Sequence, residues 1–142
     1  MEHNLEERVG YHIGIVGHLM QNLYNEKLSE FGLTVAQAKV IHLLHAKGEQ
    51  LQAELQKSLF IKAPTMNGII DSMLKKGLIE KEDNQNDRRS KTILLTEKGR
   101  LLEKELWNGI GQVEEKLLIG LSKEEQQILI LWLKKIADNL KQ

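Results

Sequence analysis

Apolar residues recur at helical spacing along most of this chain, and the spacing breaks in one place. Val9, Ile13, Val16, Met20, Leu23 and Leu28 follow one another by three to five positions, which predicts a helix over 5–31 that Gly32 stops. Thr34-Val35-Ala36-Gln37 then reads as a capping box, with the threonine hydroxyl and the glutamine side chain serving each other's backbone, and opens a second helix that ends at Gly48. A short third helix is expected over Leu51 to Ser58, and a fourth over Ala63 to Lys76 with Gly77 as its left-handed stop. Here the period changes: Leu78-Ile79-Glu80-Lys81-Glu82 and Thr92-Ile93-Leu94-Leu95 read as short strands, joined by a polar loop over 83–91 too long for a tight turn. From Thr96 a long helix runs to about Gly120, and Ser122-Lys123-Glu124-Glu125 is a second capping box opening a final helix rich in leucine and isoleucine.

The expected fold is therefore mostly α: a three-helix core followed at once by a β-hairpin, the winged helix-turn-helix arrangement, with further helices at both ends. In such a unit one helix fills the major groove of a duplex while the hairpin loop reaches the backbone or the minor groove. Met66, Ile69, Ile70 and Met73 stand at i, i+3, i+4 and i+7 and must face the core, so the other side of the fourth helix is small and polar. Asn67 carries the donor–acceptor pair that matches adenine, and Thr65 can hydrogen-bond or touch a thymine methyl. Lys62, just ahead of the helix, suits a phosphate. Asp87-Arg88-Arg89 puts two guanidinium groups at the tip of a projection, where a narrow A·T minor groove concentrates negative potential, and Asp87 can hold a guanidinium through a bidentate pair.

Charge sharpens this picture. The formal net charge is zero, yet residues 62–104 carry ten Lys/Arg against seven Asp/Glu, and six of those cations fall between Arg88 and Lys104. The acidic, polar start of the chain is the opposite of a secretory leader, and no apolar run approaches a membrane span. With no cysteine, disulfides, thiol redox sensing and thiolate metal sites are excluded; a cytoplasmic location is expected. No phosphate loop, nucleophile motif or recognisable carboxylate pair argues for an enzyme.

These residues resemble the MarR family of bacterial regulators. The likeness lies in Leu33-Thr34-x-x-Gln37, in Pro64-Thr65-Met66-Asn67, in Leu74 to Ile79, and most specifically in Asp87-Arg88-Arg89 followed by Ile93-Leu94-Leu95-Thr96-Glu97-Lys98-Gly99. The resemblance implies a triangular homodimer binding a pseudo-palindromic operator. In it 1–32 and 101–142 form the dimerisation region and 33–100 the DNA-binding region. It further implies base contacts from Thr65 and Asn67, Arg89 in the minor groove with Asp87 orienting it, and repression relieved by a small molecule. The full set of expected DNA contacts is Lys62, Pro64, Thr65, Asn67, Gly68, Ser72, Asp87, Arg88, Arg89 and Lys91. Two positions depart from the family pattern: Gly68 stands where a long basic residue is common, and Ala63 is a poor N-cap.

The resemblance also implies a small aromatic or anionic effector between the two regions, with Tyr11, His12, Ile15, Met20, His42 and Trp107 as candidate lining residues. His42 and His45 have a spacing that suits Zn²⁺ given a third ligand. No paired histidine or clustered carboxylate on the fifth helix is expected to complete such a site, so neither metal nor cofactor is assigned. The rival reading is a winged helix used only for contact with another protein; Arg88 and Arg89 on the loop, and a recognition face free of apolar bulk, speak against it.

Overall fold

The computed structural model describes residues 3–87 and 89–141. After a 3-10 turn at Leu5–Glu7 come α1 (Val9–Ser29), α2 (Val35–Lys47), β1 (Gln50–Leu51), α3 (Gln52–Leu59) and α4 (Ala63–Lys75). Then follow β2 (Ile79–Asp83), β3 (Lys91–Leu95), α5 (Glu97–Leu117) and α6 (Lys123–Leu140). The chain forms two compact units, 1–110 and 111–142, with the boundary inside α5.

In the first unit, α2, α3 and α4 pack around a core in which Val40, Ile41, Leu55, Met66, Ile70 and Met73 lose all contact with solvent. The strands form a three-stranded antiparallel sheet in the order β1-β3-β2, with Gln50 opposite Ile93 and Ile79 opposite Leu95. Ile93 plugs the core from the sheet side. Leu28 at the end of α1 and Leu106 of α5 join the same cluster, with Tyr24 and Leu102 against it. The winged helix is thus buried in part by the first and fifth helices, across the division expected at residues 33 and 100.

The capping box that opens α2 is present in full, the Gln37 backbone donating to Thr34 Oγ1 and the Thr34 backbone to Gln37 Oε1, each at 3.2 Å. Gly48 and Gly77 take the positive φ that ends α2 and α4. The N-cap of α4 is Lys62, one residue before the alanine expected there, and no side chain caps it. β1 was not expected at all.

The junction between hairpin and α5 is the tightest place in this unit. Thr96 caps α5 by accepting from the Gly99 backbone at 3.1 Å, and its hydroxyl donates to the Gly77 carbonyl at 2.6 Å. A Cβ on Gly99 would stand 2.3 Å from the Leu78 carbonyl oxygen, so the helix can approach that backbone only through glycine. This is the physical content of the Leu-Thr-x-x-Gly pattern.

The second unit holds the end of α5 and all of α6. The capping box at Ser122 is complete, Ser122 Oγ accepting from the Glu125 backbone at 3.1 Å and Glu125 Oε1 from the Ser122 backbone at 2.9 Å. Val113 is buried, whereas Ile128, Ile130, Leu131, Trp132 and Leu133 of α6 are exposed. No described helix is long and apolar enough to cross a membrane.

Candidate nucleic-acid interface and pocket

One face of α4 is wholly buried through Met66, Ile70 and Met73, which fixes what the other presents. Lys62, Pro64, Thr65, Asn67 and Gly68 are all exposed. Pro64 sits in the first turn, where its missing N–H costs nothing. Nothing lies within 4 Å of where a Gly68 Cβ would stand, so a side chain there would meet open space. Ser72 differs from the others. It is half-buried, and its hydroxyl accepts from Gln37 Nε2 at 3.1 Å, tying α4 to α2. Asn67 is engaged too: Gln52 Nε2 at the start of α3 donates to its Oδ1 at 2.6 Å.

The hairpin projects beyond β2 and β3. Asp83 and Lys91 face each other as the last ladder pair and form an ion pair, so Lys91 is held against the sheet. The loop is folded by its own polar groups. Asn84 Oδ1 accepts from the Asn86 backbone at 2.9 Å, and Asp87 Oδ1 from the Arg89 backbone at 3.0 Å. The Arg89 side chain is 95% exposed, with Nε 3.6 Å from Asp87 Oδ1. This is a single electrostatic contact, not the bidentate pair expected; Asp87 shapes the turn more than it grips the guanidinium. Arg88 lies outside the described residues.

Behind α2 lies a cavity of about 350 Å³ walled by α1, α2 and α5. Its lining is mostly apolar and aromatic, including Tyr24, Leu28 and Phe31, with Lys27 and Lys39 among the lining cations. Of the residues expected here, Met20 and His42 line it. Trp107 instead lines the recess on the other side of His42, with His45 and Glu103. Tyr11, His12 and Ile15 are not at the cavity; His12 Nε2 lies 2.7 Å from the Glu6 carbonyl, and the Tyr11 ring packs edge-on against it. Tyr24, Lys27, Phe31 and Lys39 were missed because only three-dimensional packing brings these helices together; Tyr24 and Phe31 carried a weak signal as aromatic rings near the end of α1.

On α5, Glu103 stands beside the two histidines of α2. This buried side chain reaches both, Oε1 standing 3.5 Å from His42 Nδ1 and Oε2 3.6 Å from His45 Nε2. Among the described residues neither ring nitrogen of His42 has a well-formed hydrogen bond. Burial pushes the His42 pKa below 6.5, with His45 acting the same way and Glu103 opposing both. The carboxylate spends one oxygen on each imidazole, and among the described residues no group of three such side chains is arranged to hold a metal ion.

Residues 33–91 match the sequence profile of the MarR family. A single-residue mutant of MarR from E. coli, solved in complex with operator DNA, is 28% identical with a TM-score of 0.83, over 95% of this chain and 99% of that one. BpsR of Bordetella bronchiseptica, whose DNA binding is regulated by 6-hydroxynicotinic acid, has the same fold at a TM-score of 0.88 and 23% identity, over 97% and 99% of the two chains. PcaV of Streptomyces coelicolor, solved with its natural ligand, shares the fold at 0.88 and 20% identity, over 99% of each chain. The matched segment is the one built here from α2 to the wing, so that part of the chain is similar to the MarR family of winged-helix proteins.

Proposed function

We propose that this chain is a ligand-responsive transcription regulator that binds duplex DNA as a homodimer. The observation that carries this reading is the pairing, on one small domain, of a slim polar helix face at Thr65, Asn67 and Gly68 with a projecting loop whose Arg89 is almost wholly free to contact DNA. The helix face is low enough to approach base edges, and the loop places a guanidinium where a minor groove would receive it. The MarR structure with operator DNA supports the same use of this fold. Lys62 serves as a phosphate contact, while Ser72 and Lys91 act through the scaffold, given their bonds to Gln37 and Asp83.

The partner is a second copy. Val9, Val16 and Leu19 on α1, and Leu131 and Trp132 on α6, are exposed in the single chain, the kind of surface that marks an interface. A twofold pair presents its reading helices ~34 Å apart, one turn of DNA. The cavity behind α2 accepts a small aromatic anion, its apolar walls taking the ring and Lys27 and Lys39 favouring the charge. Repression is the mode the resemblance suggests.

The test is a fluorescence titration of the purified protein with the DNA upstream of its own gene, repeated from low to high salt. Binding should weaken steeply with salt as phosphate contacts are screened. Arg89→Ala should lower affinity about tenfold at unchanged thermal stability, as expected for a lost minor-groove arginine. Benzoate, as a minimal aromatic anion, should weaken the complex. A monomer indifferent to that DNA at low salt would overturn the reading.

A further inference from the structure

We propose that Gln52, outside the recognition helix, sets which bases Asn67 can read by holding its amide in one orientation. The inference rests on the DNA-binding reading above and deepens it.

Gln52 opens α3, and Asn67 lies one turn inside α4 on the exposed face. The Gln52 amide nitrogen donates to Asn67 Oδ1 at 2.6 Å, a short bond between two side chains on the two helices of the helix-turn-helix. An asparagine side chain free in solvent turns either edge outward, oxygen or NH₂, and so suits an adenine edge that offers both an acceptor and a donor. Here the choice is removed. The other polar atom of the Gln52 amide, Oε1, is buried with no hydrogen-bond partner among the described residues. Reversing the pair would put an NH₂ with two unpartnered donors in its place, so the bond has a fixed sense.

With Oδ1 turned to Gln52, Asn67 offers its NH₂ to the groove. Such a donor pairs with the acceptors on a major-groove edge: purine N7, guanine O6 and thymine O4. It does not pair with cytosine, whose edge presents a donor. Gly68, next to Asn67, has no side chain to compensate. Gln52 is therefore a positioning residue, acting on specificity through Asn67.

The test selects binding sites for the full-length protein from a randomised duplex library, then measures affinities for single-base variants at fixed salt. Asn67→Ala identifies the read position as the one whose preference it flattens. At that position the wild type should disfavour cytosine, and Gln52→Ala should shrink the best-to-worst ratio about tenfold, one base contact's worth, with little change in affinity for random DNA. Gln52→Glu is the sharper variant. A carboxylate can only accept, so Asn67 must donate to it and turn its oxygen outward, moving preference toward the donor edges of cytosine and adenine. Circular dichroism checks that each variant folds. If both keep the wild-type profile, or if Asn67→Ala flattens no position, the inference is overturned. If the wild type selects no sequence at all, the DNA-binding reading falls, and this inference with it.

Discussion

Near its N-terminus α2 buries Gln37, and one turn further on it buries much of His42; the two polar groups are served in opposite ways. Gln37 is 5% exposed, and both polar atoms of its amide are hydrogen-bonded. Its Oε1 accepts from the Thr34 backbone and from Lys76 Nζ at 3.1 Å, and its Nε2 donates to Ser72. Lys76 in turn reaches the Gly32 carbonyl at 2.6 Å. One glutamine thus fastens the entry of α2 to the middle and end of α4. His42 has no such completeness: among the described residues its ring nitrogens have no well-formed hydrogen bond, its carboxylate neighbour stands at 3.5 Å, and the cavity lies on one side of it. A satisfied buried network has one arrangement and resists change; an unsatisfied one has alternatives within reach. The first end of the helix is a fastening, and the second is where a proton or a ligand can alter the molecule.

The comparison breaks most visibly at Gln37. Gln37→Leu should cost about 2–3 kcal/mol in a denaturant titration, because it strands the Thr34 backbone and loosens Lys76 and Ser72 while removing a helix cap. That loss should be the same at pH 8 and pH 6. A loss that depends on pH would mean the two ends are not distinct.

At His42 the expected effect is smaller and depends on pH. Burial lowers its pKa in the folded chain, so as pH falls through 6.5 the unfolded chain takes up the proton first and stability drops. Above 6.5 this contribution is fully present. His42→Phe should therefore match the wild type at pH 8 and lose less stability on going to pH 5.5. Trp107, with its ring 6.1 Å from the imidazole, offers a fluorescence readout of the same step. Parallel pH profiles for the two proteins would remove His42 from the account.

The smallest effect is expected from Glu103→Gln. The carboxylate opposes the fall of the His42 pKa, so its loss should steepen the acid-side decline while changing stability at pH 8 little. A shallower decline would reverse the sign assigned to that contact.

Which of these features could be read from the chain follows from how far apart the partners stand. The capping boxes at Thr34 and Ser122, the stops at Gly48 and Gly77 and the polar hairpin loop are set by neighbours three or four residues away, and each falls within a residue or two of its expected place. The buried face of α4 was equally legible, since Met66, Ile70 and Met73 follow helical period. β1 was not, because two residues acquire strand geometry only by pairing with Thr92 and Ile93 far along the chain. The candidate site divides the same way. Thr65, Asn67 and Arg89 stand exposed where the pattern put them. That Ser72 belongs to Gln37, Lys91 to Asp83, and Asn67 to Gln52 depends on contacts between elements. Glu103 was missed for that reason: nothing in its local sequence distinguishes it from the other acids of α5.

The close approach at Gly99 has a bearing on how the molecule would transmit a signal. The first turn of α5 is pressed against the backbone at Leu78, at the root of the finger that carries Arg89, and farther along the same helix Leu106, Gly109 and Ile110 wall the cavity. Cavity and finger therefore share a single helix, with no side chain between its first turn and the Leu78 backbone. A methyl group at position 99 would force the first turn of α5 away from that backbone and so shift the finger's root against the helix.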